Sequence, residues 1–316
     1  MKHFLAATFL AFALLITPIY GASVSRSSTL SPPTAYKPNP RTVTSEDGTR
    51  IYAEALGNKR NPAVVFVHGF GCSLVHYKKQ FEDSKLLRNV YMIGYDMRGH
   101  GRSGAPFEPE AYESIRYAED FKAVIDEFGV VKPFVAGWSA GGFVPADVVA
   151  AYGPSSISGV ILLGTAMGPD EDLISIVTKP EMVGIFTGFA SLDLLEFRSA
   201  ALAFSTALYA VDFKVAFKEE QRFLGGMLTM HPSVRVSAAF RPYNGRAITA
   251  AQDELPFLVI QGAEDAAFNV TLVRDYMTEK GFNMEYHIFD RVGHSPFFEA
   301  PEKTNRLILD FVRDHA

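Results

Sequence analysis

The sequence predicts an α/β domain: a mostly parallel sheet with helices on both faces. Three observations carry this. From about residue 50 onward, short β-branched runs alternate with helix-length segments. The runs are apolar throughout instead of alternating, the pattern of strands buried on both faces. Several of them end abruptly in glycine or polar residues, so the strands are short and their ends sharply marked. Taken in order, Ala63–Val67 is a strand ending at His68-Gly69, and Val90–Tyr95 is a strand ending at Asp96. Residues 112–128 place Ile115, Ala118, Phe121, Ile125 and Phe128 at helical spacing with charges between them. Pro133–Ala136 is a short strand, followed by Gly-Trp-Ser-Ala-Gly-Gly and a helix from Gly142 to Ala151. Gly159–Leu163, Pro256–Ile260 and Met284–Phe289 are further strands, and Thr304–Val312 is a closing helix.

The stretch from Gly164 to Pro256 breaks this rhythm and is too long for a structureless loop in a compact domain. It is rich in Phe: Phe186, Phe189, Phe197, Phe204, Phe213, Phe217, Phe223 and Phe240. It is expected to be a helical cap over the C-terminal edge of the sheet, spanning 167–254, with most of these rings packing the cap onto the body. The sheet domain is then discontinuous, 43–166 and 255–316.

Composition bounds the function. Of 316 residues, 48% are hydrophobic, 21% are charged and 26 are Phe, which supplies a large core and argues against a disordered or fibrous chain. The net charge of −5 leaves no basic surplus to grip phosphates, so nucleic acid is not expected as a partner. The single cysteine, Cys72, excludes an intramolecular disulfide and argues against a thiolate metal cluster. No H-E-x-x-H or clustered His/carboxylate set is present, so no metal and no cofactor are predicted. The oligomeric state stays open.

The N-terminus reads as a targeting segment. Lys2 precedes an uncharged apolar run, Phe4 to Ile16, of 13 residues. A bilayer-spanning helix needs roughly 20. Pro18 and the small residues Gly21, Ala22 and Ser23 follow. This describes a secretory signal peptide over 1–22, cleaved near Ala22 or Ser23, and a secreted or secretory-pathway protein without a stable membrane span. A retained anchor is the alternative. Residues 23–42, with five Ser, three Thr and four Pro, read as a flexible leader. Asn269-Val270-Thr271 is the only N-x-S/T sequon.

Gly137-Trp138-Ser139-Ala140-Gly141 fits G-x-S-x-G in a strand–turn–helix setting. The sharp turn needs small neighbours and lifts the Ser139 hydroxyl out of the sheet. A serine hydroxyl needs a base to take its proton. Of the eight histidines, His294 stands in Asp-Arg-Val-Gly-His-Ser-Pro just past the last strand, where a loop can overhang the sheet edge. The base in turn needs a carboxylate to fix its tautomer and stabilise its cation. Pro256–Ile260 runs into Gln261-Gly262-Ala263-Glu264-Asp265, which offers Asp265, with Glu264 as the second choice. The competing G-x-G-x-x-G match, Gly99 to Gly104, lacks the helix that a dinucleotide site opens with, because Pro106 and Pro109 intervene.

With these residues the chain from about Val43 onward resembles the cap-bearing serine α/β-hydrolases. Four motifs carry the likeness: Val67-His68-Gly69-Phe70, Asp96-Met97-Arg98-Gly99-His100-Gly101-Arg102-Ser103, Gly137 to Gly142, and Gly293-His294-Ser295-Pro296. The order Ser, Asp, His is the family's chain order. The resemblance implies the α/β-hydrolase fold, and that the backbone N–H groups of Phe70 and Ala140 form the oxyanion hole, with His68 shaping its loop. A serine rather than an aspartate at the elbow separates the chain from epoxide hydrolases and haloalkane dehalogenases and favours acyl chemistry. The expected function is a serine hydrolase acting on small to medium apolar carboxylic esters or lactones, with Met167, Met182, Met227 and Met230 joining the cap's Phe residues around the substrate. The alternatives are a hydrolase-fold ligand receptor with little turnover, or another serine-triad activity such as carbon–carbon bond hydrolysis, perhydrolysis or hydroxynitrile lysis.

Overall fold

The structure, a computed structural model, describes residues 37–168 and 172–316. The expected signal peptide and most of the expected leader lie outside the described residues. The leader's last residues do not fit that expectation: Asn39–Thr44 forms the first strand, β1. It pairs antiparallel with β2 (Arg50–Leu56), which the apolar pattern also missed. In β2 the buried positions are Ile51, Ala53, Ala55 and Leu56. Two alanines make a weak strand signal.

The remaining strands are β3 (Ala63–Val67), β4 (Tyr91–Tyr95), β5 (Phe134–Trp138), β6 (Gly159–Leu163), β7 (Phe257–Gly262) and β8 (Met284–Phe289). They complete an eight-stranded sheet in the order β1-β2-β4-β3-β5-β6-β7-β8. β2 meets β4 antiparallel, and all pairings from β4 to β8 are parallel. β4, β5, β6 and β7 are buried along their whole length, which is why they read as continuous apolar runs. β8 is the far edge and carries Glu285 and His287.

Between strands run α1 (Lys78–Phe81), α2 (Ser84–Asn89), α3 (Ser114–Phe128) and α4 (Val144–Tyr152). α3 buries Tyr117, Ala118, Phe121, Val124, Ile125 and Phe128 and stops at Gly129, whose φ is 66°. Ile115, counted on that apolar face from spacing, is 41% exposed; the stripe starts one turn later. Arg98, in the loop after β4, is fully buried and binds Asp120 of α3 through Nε (2.8 Å) and Nη2 (2.7 Å), and Asp47 of the β1–β2 turn at 2.8 Å. One guanidinium thus ties the antiparallel edge to the parallel body, and its fork shape suits that task.

The segment between β6 and β7 holds α5 (Asp172–Val177), α6 (Pro180–Ala190), α7 (Leu194–Ala207), α8 (Phe217–Leu228), α9 (Pro232–Ala239) and α10 (Arg246–Ala250). Phe189, Phe197, Phe204 and Phe223 are buried; Phe186 and Phe213 are half-buried against them; Phe217 and Phe240 are exposed. The insertion is also held by charge. Arg241, after α9, meets Asp147 of α4 at 2.8 Å, with both side chains almost entirely buried, and lies 3.8 Å over the Tyr117 ring. The chain closes with α11 (Val270–Glu279), α12 (Pro296–Glu299) and α13 (Pro301–His315). Asn269 caps α11 by accepting from the Leu272 amide at 3.2 Å and is exposed. Among the described residues no helix is long and apolar enough to cross a membrane.

Candidate active site

Parallel strands bring their C-terminal ends to one edge, and the loops leaving β3, β5, β7 and β8 supply the site there. β5 runs directly into a tight turn over Ser139–Phe143 that leads to α4. Ser139 sits at φ 50°, in the left-handed region that costs an L-residue roughly 1–2 kcal/mol. The turn closes because its neighbours lack side chains: a Cβ on Gly137 would lie 2.4 Å from the Gly141 carbonyl oxygen, and one on Gly141 would lie 2.3 Å from that of Val67. Strain held in this way at a strand end is where function is to be sought.

His294 follows β8 and is 1% exposed. Its Nδ1 lies 2.8 Å from Oδ2 of Asp265, which follows β7 and is fully buried. A carboxylate at that distance holds the proton on Nδ1, so Nε2 presents a lone pair. The other Asp265 oxygen accepts from the amides of Ala267 (2.7 Å) and Phe268 (3.0 Å), which fixes the carboxylate plane. Glu264, the second-choice carboxylate, is exposed and accepts from the Val211 amide at 3.3 Å instead. The His294 carbonyl accepts from the Trp138 indole N–H at 2.9 Å, so the residue before Ser139 is bonded directly to His294.

The loop after β3 lies against the turn. A Cβ placed on Gly69 would fall 3.2 Å from the Ser139 Cβ. His68 is fully buried; its Nδ1–H donates to the Gly69 carbonyl at 2.8 Å and its Nε2 accepts from the Met97 amide at 2.9 Å. Both ring nitrogens are engaged. Burial, and then the neighbouring His100, push its pKa down to about 3, so it is a neutral frame residue. Asp96 accepts from the Leu74 amide at 2.7 Å and from Arg102 Nε at 2.9 Å, which pins the far end of the same loop. Phe70 is 3% exposed, and its ring stands among Phe189 (5.4 Å), Phe186 (6.1 Å) and Phe204 (6.4 Å) of the insertion. Ala140 is half-buried in the first turn after β5, where amides have no partner inside the helix. Burial raises the Cys72 thiol well above its ordinary pKa, so it stays a neutral core group.

Three residues of this constellation escaped the reading of the sequence. Trp138 orients His294. Lys179, at the start of α6, donates through Nζ to the Asp265 carbonyl at 2.5 Å. Glu299 accepts from amides on both sides of His294. Only Glu299 left a signal, a lone acid in the apolar run Ser295-Pro296-Phe297-Phe298.

Comparison with known proteins agrees with this architecture. The sequence profile of the alpha/beta hydrolase fold matches residues 62–301. The chain is 26% identical to the AB hydrolase superfamily protein YisY of Bacillus subtilis, over 85% of this chain and 97% of that protein. Among solved structures it resembles a putative aryl esterase from Burkholderia cenocepacia, with TM-score 0.78 and 26% identity over 88% of this chain and 99% of the other. It also resembles the esterase RhEst1 from Rhodococcus sp. ECU1013, with TM-score 0.77 and 27% identity over 88% and 99%. The chain therefore belongs to the alpha/beta hydrolase fold family, as a hydrolase-type enzyme whose solved neighbours include esterases.

Proposed function

We propose that the protein is a serine hydrolase that cleaves small to medium apolar carboxylic esters or lactones through Ser139, His294 and Asp265. The observation that carries the reading is the buried 2.8 Å bond between His294 Nδ1 and Asp265, beside a strained serine on the same sheet edge. His294 Nε2 takes the Ser139 proton as Oγ attacks the substrate carbonyl. The Phe70 and Ala140 amides hold the oxyanion, a contribution of roughly 3–4 kcal/mol per donor. His294 then protonates the departing alcohol, leaving an acyl-serine. In the second half it takes a proton from water, hydroxide adds to the acyl carbonyl, and the acid leaves as Ser139 recovers its proton.

Phe70, Phe186, Phe189 and Phe204 pack on one another where the insertion meets the loop after β3, and these apolar surroundings favour an apolar acyl group. Each buried methylene is worth about 0.8 kcal/mol, so pocket length sets chain preference. A panel of p-nitrophenyl esters spanning acetate to palmitate tests this. Activity should peak among the shorter chains and vanish with Ser139→Ala, and a serine-directed phosphonate should label Ser139. A flat profile or a preference for the longest chain sinks the substrate class. Stoichiometric ligand binding without turnover would favour a receptor. We also propose export directed by residues 1–22; N-terminal sequencing of the native protein should find a start near Ala22 or Ser23, and a start at Met1 or Lys2 would reject it.

A further inference from the structure

We propose that Glu299 is a positioning residue for His294 and that, through Ala210, it makes the helical insertion part of the mounting of the base. The inference rests on the reading of His294 as that base. The Glu299 carboxylate accepts from the Gly293 amide at 3.0 and 3.1 Å, from the Ser295 amide at 3.3 Å and from the Ala210 amide at 2.9 Å. The first two are the amides of the residues on either side of His294, so one carboxylate braces the backbone from which the imidazole projects. The third belongs to the turn after α7.

That turn lies flush on the base loop. A Cβ on Gly293 would sit 2.3 Å from both the Ala210 nitrogen and the Tyr209 carbonyl carbon, so no other residue fits there. The next amide, Val211, is taken by Glu264. Glu299 ends α12, and its bond to the Ser295 amide alone would be an ordinary helix-start contact. The Gly293 and Ala210 amides lie outside that helix, and helix capping gives no reason for them. Burial raises the Glu299 pKa, while the three amides and His294 act to lower it. A half-buried carboxylate is kept here at a cost that a purely packing role would not require. A displacement of about 1 Å in a reacting group costs on the order of a hundredfold in rate, so a loosened loop should be visible in turnover.

The test uses the full chain with Glu299→Leu and Glu299→Gln. Leucine removes all four bonds; glutamine keeps one acceptor and turns an N–H₂ toward a donor. For a short p-nitrophenyl ester, kcat should fall about a hundredfold in Glu299→Leu and about tenfold in Glu299→Gln, with KM within about twofold. In both, the proton NMR signal of His294 Nδ1–H, assigned with His294→Ala, should broaden, and the Gly293 and Ser295 amides should exchange faster. If Glu299→Leu does not fold, Glu299→Gln decides alone. Unchanged kcat with a sharp Nδ1 signal in the folded variants overturns the proposal. Wild-type protein that hydrolyses no ester, or Ser139→Ala that still does, overturns the function reading instead. The NMR signal and amide exchange still decide the role of Glu299, since neither needs turnover.

Discussion

Replacing Asp265 by Asn separates a role in orienting His294, the proposed base, from a role in packing. In the wild type, Oδ1 of Asp265 accepts from the Ala267 and Phe268 amides, and Oδ2 faces His294 Nδ1 at 2.8 Å. An asparagine keeps its carbonyl oxygen on the two amides, which only an acceptor satisfies. Its N–H₂ then faces His294, so Nδ1 must accept and the imidazole proton moves to Nε2. That tautomer has no lone pair for the Ser139 proton and no anion to stabilise an imidazolium. The expected loss in kcat is on the order of 10⁴, or about 5 kcal/mol, because both groups are buried and solvent cannot compensate. Stability should change by no more than about 1–2 kcal/mol, since the two amide bonds survive. Steady-state ester hydrolysis alongside urea unfolding measures both. The companion Glu264→Gln should stay close to wild-type rate, because that exposed carboxylate binds only the Val211 amide. A loss below tenfold in Asp265→Asn, or a larger loss in Glu264→Gln, would refute the assignment of the acid.

Ser139→Gly should abolish hydrolysis yet melt about 1–3 °C above Ser139→Ala, because only glycine relieves the φ of 50°; a lower melting point for the glycine variant would remove the strain argument. Arg98→Met should cost about 3–5 kcal/mol in urea unfolding, since it leaves Asp120 buried without its partner; a loss under 1 kcal/mol would show that solvent reaches Asp120. Burial is the first cause holding His68 near a pKa of 3 and His76 and His100 near 4, all below the unfolded value of about 6.5. The unfolded chain therefore takes up these protons first, so stability is undiminished above pH 6.5 and is lost as pH falls toward 4. The slope should be about 1 kcal/mol per pH unit for each histidine. Urea midpoints at pH 7.5 and 5.5 should differ clearly, and identical midpoints would contradict it.

What the sequence revealed and what it hid follow from the range of the interactions. β3, β6 and β8 lie where their apolar runs predicted, and β5 and β7 begin one residue later and run two further. A buried parallel strand writes itself as a local run. β1 escaped because it is an edge strand with most side chains exposed, set in a Ser/Pro-rich stretch that resembles a linker. Ser139 could be singled out because the turn's requirement for glycine is local. His294 and Asp265 could be placed only as residues at strand ends. Choosing Asp265 over Glu264 needed the orientation of adjacent side chains, on which one sequence is silent.

The contacts that support the site were invisible for a stronger reason. Trp138 to the His294 carbonyl, Lys179 to the Asp265 carbonyl and Glu299 to the Ala210 amide join positions 156, 86 and 89 residues apart. In each, the partner is a backbone atom, which no residue type announces. Such contacts depend on β5, β7 and β8 sharing one sheet and, for Lys179 and Ala210, on the insertion between β6 and β7. The strands bring Ser139, Asp265 and His294 to one sheet edge, on a scale set by the strand spacing of about 4.8 Å. Proton transfer needs hydrogen-bond distances, near 3 Å. These long-range backbone contacts hold the segments that carry the three groups, so substitutions at Trp138, Lys179 or Glu299 should lower kcat more than they lower stability, which ester hydrolysis measured beside urea unfolding checks.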